Sequence, residues 1–195
     1  MALANLGDKG SIESIDNPTK QPEIVCSKWY DVTRQEALRQ LMPSFARKRD
    51  IWALDSSYTP AFGYKSAYKY KSNCLKVLGI GNVYEQRGDY AIEDNHILID
   101  DVFEGGLPVR YIGDVDDVSK WTPDFSIVFS WMLAKNICME LHDSSQKYAE
   151  IEQILPMKIA QFLSVDSQEN KPVRVSNSNL MRRRLGLNPV FGGKA

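Results

Sequence analysis

The spacing of hydrophobic residues changes twice along the chain. Apolar side chains recur at helical intervals in residues 20–42, where Pro43 ends the run. The same interval returns in residues 123–142 and 145–169. Between them lie short runs rich in β-branched and aromatic residues, separated by turn residues, which is typical of strands. The pattern predicts a long helix, then several strands, then two long helices.

Finer features refine these elements. Residues 2–6 predict a short helix that Gly7 ends, and Pro156 should kink or split the last helix. Residues 45–54 predict either a strand or an extended link. The remaining strands are predicted at residues 74–80, 83–86, 90–92, 97–99 and 109–112. A hairpin turn is predicted at residues 93–96.

This order predicts an α+β fold. Residues 1–44 and 122–169 would form a helical bundle, because an amphipathic helix must bury its apolar face against a neighbour. Residues 45–121 would form a β-rich insertion, either a small antiparallel sandwich or a curled sheet. Residues 170–195 would form an extended C-terminal arm.

The passage from strand to helix at residues 109–141 is the most informative stretch. A strand leads into an acidic turn, and then Thr122 stands as a helix N-cap with Pro123 at the first helical position. Trp121 and Phe125 flank this start and are the predicted packing or interface anchors. Arg34 and Arg39 on the first long helix are expected to pair with acids on that helix or across an interface.

Charge is distributed unevenly along the 195 residues, although the net charge is only −1. Residues 171–195 hold six Lys and Arg and no acid, so residues 1–170 carry a net charge of −7. A basic arm on an acidic body suggests contact with an acidic neighbour or with DNA phosphates, and a disordered tail is the third possibility. Spaced apolar residues in the arm favour an anchor for a groove. The predicted contact residues are Arg174, Leu180, Arg182, Arg183, Arg184 and Leu185.

No catalytic motif is present, and we expect neither an enzyme nor a cofactor. Asp100, Asp101, Asp114, Asp116 and Asp117 could gather as oxygen ligands for a hard cation, but their spacing is not that of a calcium loop, so turn caps and rim charges explain them better. His96 and His142 are expected at the surface. The three cysteines have no zinc or redox spacing. No apolar run is long enough for a membrane span, and the N-terminus lacks the pattern of a secretory signal.

The series of residues along the chain resembles the head–tail adaptors of short-tailed bacteriophages, the family of tail tubular protein A. The resemblance covers residues 2–168 in order. It rests on Leu3-Ala4-Asn5-Leu6-Gly7, Ile12, Ser14-Ile15-Asp16, Cys26, Tyr30-Asp31, Arg34, Leu38-Arg39, Pro43, Phe45-Ala46-Arg47-Lys48-Arg49, Tyr68, Asn73-Cys74-Leu75-Lys76-Val77, Tyr90, Ile92, the 97–100 strand, Arg110-Tyr111-Ile112, Asp117, Trp121, Pro123-Asp124-Phe125 and Leu133-Ala134. The chain departs from many relatives at residues 42–46, where a large aromatic residue is absent.

The resemblance implies a non-enzymatic virion protein, made in the host cytoplasm. Its subunits would form a dodecameric ring between the portal protein and a tail nozzle of the tail tubular protein B type. Genomic DNA would pass through the ring without sequence-specific binding. Two other classes stay open: a tail-associated peptidoglycan hydrolase that uses an Asp/Glu pair, and a DNA-binding accessory protein that uses the arm.

Overall fold

The structure is a computed structural model that describes residues 1–8, 12, 15, 17–81, 90–103 and 105–169. Its helices are α1 (Ala2–Asn5), α2 (Gln21–Leu41), α3 (Pro123–His142) and α4 (Ser145–Glu169). Its strands are β1 (Arg47–Trp52), β2 (Ser66–Lys69), β3 (Cys74–Ile80), β4 (Tyr90–Glu93), β5 (His96–Ile99) and β6 (Leu107–Gly113). Two 3-10 turns, η1 (Ser44–Ala46) and η2 (Val118–Lys120), precede β1 and α3. The predicted α+β class is confirmed.

The long helices begin and end close to their predicted limits. Thr122 caps α3 by accepting a hydrogen bond from the backbone N–H of Phe125, as its position predicted. Met42 and Asp143 adopt left-handed backbone conformations and end α2 and α3. Helix α4 runs without interruption through Pro156, so the proline does not split it. Apolar residues on both sides of Pro156 pack inward and hold the two halves together.

The strands form two antiparallel three-stranded sheets. The central sheet has the order β1-β6-β3, and the outer sheet has the order β2-β5-β4. The predicted hairpin joins β4 to β5, and its turn residues Asp94 and Asn95 both have positive φ. Of the 45–54 segment, η1 takes the beginning and β1 the rest. The strand predicted at residues 83–86 lies outside the described residues.

The molecule has two hydrophobic cores, and the central sheet lies between them. The helical core is built mainly from α2, α3 and α4, with α3 packed against both of the others. The strand core combines residues of both sheets, including Trp52, Tyr68 and Ile97. Side chains alternate across a strand, so β6 sends Tyr111 into the strand core and Ile112 into the helical core. Among the described residues, no outer-sheet residue belongs to the helical core.

Candidate functional site

The joint between the strands and the helices is fixed by a buried arginine. Arg34 of α2 donates from Nη1 to Oδ1 of Asp114, the first residue after β6, and from Nη2 to Oδ1 of Asp31 at 3.2 Å. Gln35 Nε2 also donates to Asp114, at 3.1 Å. The Arg34 side chain is only 6% exposed, whereas that of Asp114 is 25% exposed. The joint therefore places a nearly buried charge between α2 and the end of the central sheet.

Burial and ion pairing act on Arg34 in opposite directions. Desolvation would lower the pKa of Arg34, but the hydrogen bonds and charges of Asp114 and Asp31 outweigh it and raise the pKa. Arg34 stays cationic, and its partners satisfy a charge that burial would otherwise make costly. The expected pairing of Arg34 with acids of this chain is thus observed. The pairing of Arg34 with Asp114 could not be predicted from the sequence, because the two residues lie far apart along the chain.

Trp121 and Phe125 hold the same joint from the helical side. Trp121 donates from Nε1 to the carbonyl oxygen of Val115 at 3.2 Å, closing the turn that links β6 to α3. Its ring meets the rings of Phe125 and Phe129 edge-on at 5.1 and 5.0 Å. Phe125 is fully buried and also packs on Phe45 of η1 at 5.0 Å. Both predicted anchors therefore act in internal packing.

A second polar joint links the end of α4 to the start of β1. Asp166 accepts hydrogen bonds from the backbone N–H and the hydroxyl of Ser44 at 2.9 and 2.8 Å. Arg47 lies 3.4 Å from the same carboxylate, whose side chain is 7% exposed. Asp166 thus satisfies backbone donors of η1 that would otherwise stay unpaired. Nothing in the sequence pattern singled out this residue, since it lies on a helix face that is otherwise mixed.

An apolar cavity of about 660 Å³ lies beside Trp121. Helices α1, α2 and α3 and the turn η2 contribute to its walls, with Leu3, Cys26, Tyr30 and Phe129 among the lining residues. Burial raises the pKa of the Cys26 thiol and of the Tyr30 phenol, so both are protonated and poorly reactive near neutral pH. The cavity is suited to an apolar group rather than to acid–base chemistry.

His96 is not the surface residue that the sequence predicted. Its side chain is 12% exposed, and Nε2 donates to Oδ2 of Asp55 at 3.2 Å. The ring stacks on Tyr58 with centroids 4.1 Å apart. Asp55 also accepts from Ser57, and these hydrogen bonds, with that of the Ser57 hydroxyl the strongest, lower the pKa of Asp55 to about 2. The contacts of Asp55 and Tyr58 with His96 hold the loop after β1 against the outer sheet.

Three of the five aspartates considered for a cation site make other contacts. Asp114 binds Arg34, Asp100 pairs with Lys65 at 2.9 Å, and Asp117 caps η2 by accepting from the Ser119 N–H at 3.0 Å. Across the described ranges, no group of three or more His, Cys, Asp and Glu is placed to hold a metal ion. In that same part of the chain no helix is long and apolar enough to cross a membrane.

The basic arm predicted at residues 170–195 lies outside the described residues. The same holds for its predicted contact residues, which are Arg174, Leu180, Arg182, Arg183, Arg184 and Leu185. A comparison with protein-family models found no matching family, and a comparison with curated protein sequences found no significant match. The function therefore has to be argued from the joint, the surface and the order of residues along the chain.

Proposed function

We propose that the protein is a structural head-to-tail connector of a tailed bacteriophage. The observation that carries this proposal is the joint: Arg34, Asp114 and Trp121 tie the central sheet to the helices on both sides of the β6–α3 passage. A subunit that links two partners through opposite parts needs such a joint, because a loose hinge would leave their relative position undefined. This structural role requires no catalytic chemistry of the subunit.

Several of the residues behind the resemblance to tail adaptors lie at or beside this joint, and this supports the proposal. Arg34 binds Asp114, Asp117 caps η2, and Phe45 packs on Phe125. Tyr68 lies in the strand core and accepts a hydrogen bond from the Phe103 N–H at 3.1 Å. Residues that build the connection between the two parts are those that a shared architecture would retain.

In this proposal the subunits form a dodecameric ring that extends the DNA channel. The portal protein binds one side of the ring, and the tail nozzle binds the other. The acidic body, with its net charge of −7 over residues 1–170, disfavours DNA sticking to the ring as the genome passes. Residues 170–195 contact a neighbouring subunit or the portal, and they bind when both surfaces are present.

Mass photometry and negative-stain imaging of the purified chain, alone and mixed with its cognate portal, test the proposal. We expect a ring stacked coaxially on the portal. Deleting residues 171–195 should weaken assembly and leave the stability of the remaining body unchanged. A chain that stays monomeric and ignores the portal would overturn the proposal. Release of sugars from peptidoglycan would then favour the hydrolase, and salt-sensitive duplex binding lost with Arg182–Arg184 would favour the DNA-binding protein.

A further inference from the structure

Two arginines stand side by side on one face of the central sheet. Arg49 of β1 and Arg110 of β6 are direct register partners, and paired residues of neighbouring strands point to the same face. Gly79 of β3 is the next residue in this row. A Cβ atom at Gly79 would come within 3.3 Å of Arg110 Nη2, so that guanidinium lies across the glycine. Like charges directly opposite each other destabilise a sheet.

Neither arginine is neutralised by the described part of the chain. Within those residues, Arg49 and Arg110 make no ion pair or side-chain hydrogen bond, whereas Arg47 pairs with Asp166. Asp50, the nearest acid in sequence, lies on the opposite face of β1 and binds Lys71. The Lys71 hydrogen bond is the main reason why the pKa of Asp50 is lowered. Its carboxylate is therefore already engaged.

The arginine pair borders a cavity of about 250 Å³. Asp50, Ile51, Gly81, Pro108 and Val109 complete its lining. The guanidinium group presents several N–H donors in a planar fork that matches the oxygens of a carboxylate or a phosphate. The row has room for such an anion and carries two uncompensated positive charges. This combination indicates an oxyanion-binding site.

A complementary acidic pair lies on the other sheet. Glu93 and Asp94 are exposed at the tip of the β4–β5 hairpin, and neither carboxylate has an ion-pair partner among the described residues. The backbone of the tip is held in place, because the Asp94 carbonyl lies 2.7 Å from His96 Nδ1. Two exposed carboxylates on this turn match two adjacent guanidinium groups in charge and number.

We propose that the Arg49–Arg110 site binds Glu93 and Asp94 of a second copy of this chain. The site and the hairpin tip occupy different sheets, so each copy can offer both surfaces at once, and head-to-tail repetition of this contact closes a ring when the rotation permits. The hairpin tip is the favoured occupant because its two adjacent carboxylates match the two guanidinium groups in charge and number. The inference rests on the proposed ring and names one of its subunit contacts.

A charge swap on the full-length chain tests this contact. One variant carries Arg49→Glu with Arg110→Glu, a second carries Glu93→Arg with Asp94→Arg, and a third carries all four changes. We expect each of the first two to reduce ring formation on the portal by about tenfold or more, since each places like charges in contact. The third should restore assembly to within about threefold of wild type, because the pairing is re-formed with its signs exchanged.

Two further variants serve as controls for the charge swap. Lys65→Glu with Asp100→Lys exchanges an exposed ion pair elsewhere on the outer sheet and should leave assembly unchanged. Arg49→Gln with Arg110→Gln removes the charges at similar volume and should also weaken assembly, with thermal unfolding unchanged. This milder variant decides the matter if a charge reversal prevents folding.

The outcomes separate the two proposals. Rings that form equally well with all variants overturn the subunit contact and leave the connector function standing. Failure of the four-substitution variant to recover assembly also overturns the contact. A wild-type chain that forms no ring overturns both. Duplex DNA binding that the Arg49→Gln, Arg110→Gln variant abolishes, with assembly intact, would assign the site to phosphate instead.

Discussion

The two sheets differ in the number of hydrophobic cores to which they contribute. The central sheet has strands of six or seven residues, and its middle strand β6 sends side chains into both cores. The outer sheet has strands of four residues, and its core residues Tyr68, Ile97 and Ile99 belong to the strand core alone. Loss of the central sheet would expose both cores, whereas loss of the outer sheet would expose one.

The two sheets also differ in the contacts that join them to the rest of the molecule. Two ion pairs, each with one nearly buried member, join the central sheet to the helices: Arg34 with Asp114 and Arg47 with Asp166. The loop after β1 is held to the outer sheet by the His96–Asp55 hydrogen bond and by a backbone hydrogen bond from the Asp55 N–H to the Ala67 carbonyl. Free energies of local opening vary across a protein with contact density. We therefore expect the outer sheet to open on its own and the central sheet to open only with global unfolding.

Phe125→Ala should have the largest effect on stability. Phe125 is fully buried and packs against Trp121 and against rings from η1 and α4, so the truncation would leave a cavity where the helices meet the start of β1. We expect a loss of about 3–5 kcal/mol in the free energy of unfolding, measured by urea denaturation. Phe62→Ala is the matched control, since that ring is 88% exposed and its loss should change stability by at most about 0.5 kcal/mol. Equal losses would refute the assignment of Phe125 to the joint.

Asp114→Asn should rank second, because it leaves the buried Arg34 guanidinium without its main counter-charge. Breaking a buried pair costs about 3–5 kcal/mol, and the remaining Asp31 contact and the 25% exposure of Asp114 place the expected loss near the lower limit, at about 3 kcal/mol. Glu140→Gln is the control, because the Lys28–Glu140 pair is well exposed and is worth at most about 1 kcal/mol. A loss for Asp114→Asn no greater than the control's would show that Arg34 does not depend on Asp114.

Local signals in the sequence were enough for elements but not for their joints. The N-cap at Thr122 and the turn at residues 93–96 depend on neighbours in sequence, and both were predicted. The pairing of Arg34 with Asp114 joins residues 80 positions apart, and that of His96 with Asp55 joins residues 41 apart. The composition or the hydrophobic period of a short stretch of sequence carries no information about contacts between residues so far apart.

The failed expectations have the same physical origin. His96 was placed at the surface because hairpin turns are usually exposed, but the loop after β1 folds over it and supplies Asp55 and Tyr58. Pro156 was expected to kink or split α4, and the helix is not split, because Leu155 and Ile159 pack against the helical core beside the missing hydrogen bond. In both cases tertiary contacts decided the result, and the local preference alone could not reveal it.

A matched pair of small truncations would measure the difference between the sheets directly. Ile112 of the central sheet and Ile97 of the outer sheet are both fully buried isoleucines on strands. Each Ile→Val change should cost about 1 kcal/mol, by loss of one methylene group. Amide hydrogen exchange should show faster opening throughout the helices and strands for Ile112→Val, but faster opening of β2, β4 and β5 alone for Ile97→Val. Uniform acceleration in both variants would mean that the outer sheet has no independent opening.

The smallest expected effect is a pH dependence confined to the outer sheet. The Ser57 hydroxyl, His96 and the Ser57 N–H hold the pKa of Asp55 at about 2, below the value of about 3.9 for an unfolded aspartate. The folded loop therefore binds fewer protons than the open loop, so the stabilisation is complete above about pH 4 and is lost as the pH falls towards 2. Hydrogen exchange of the β5 amides between pH 5 and pH 3 measures this loss.

Asp55→Asn should remove that acid dependence, because an amide does not titrate. Asp100→Asn is the control: its carboxylate is 64% exposed on the same sheet, and the substitution should leave the acid dependence of the β5 amides in place. If the Asp55→Asn protein still loses protection of the outer sheet between pH 5 and pH 3, another carboxylate controls that opening. If the loss instead spreads to the helices in the wild type, the two sheets open together, and the helical core shares the acid sensitivity assigned to the outer sheet.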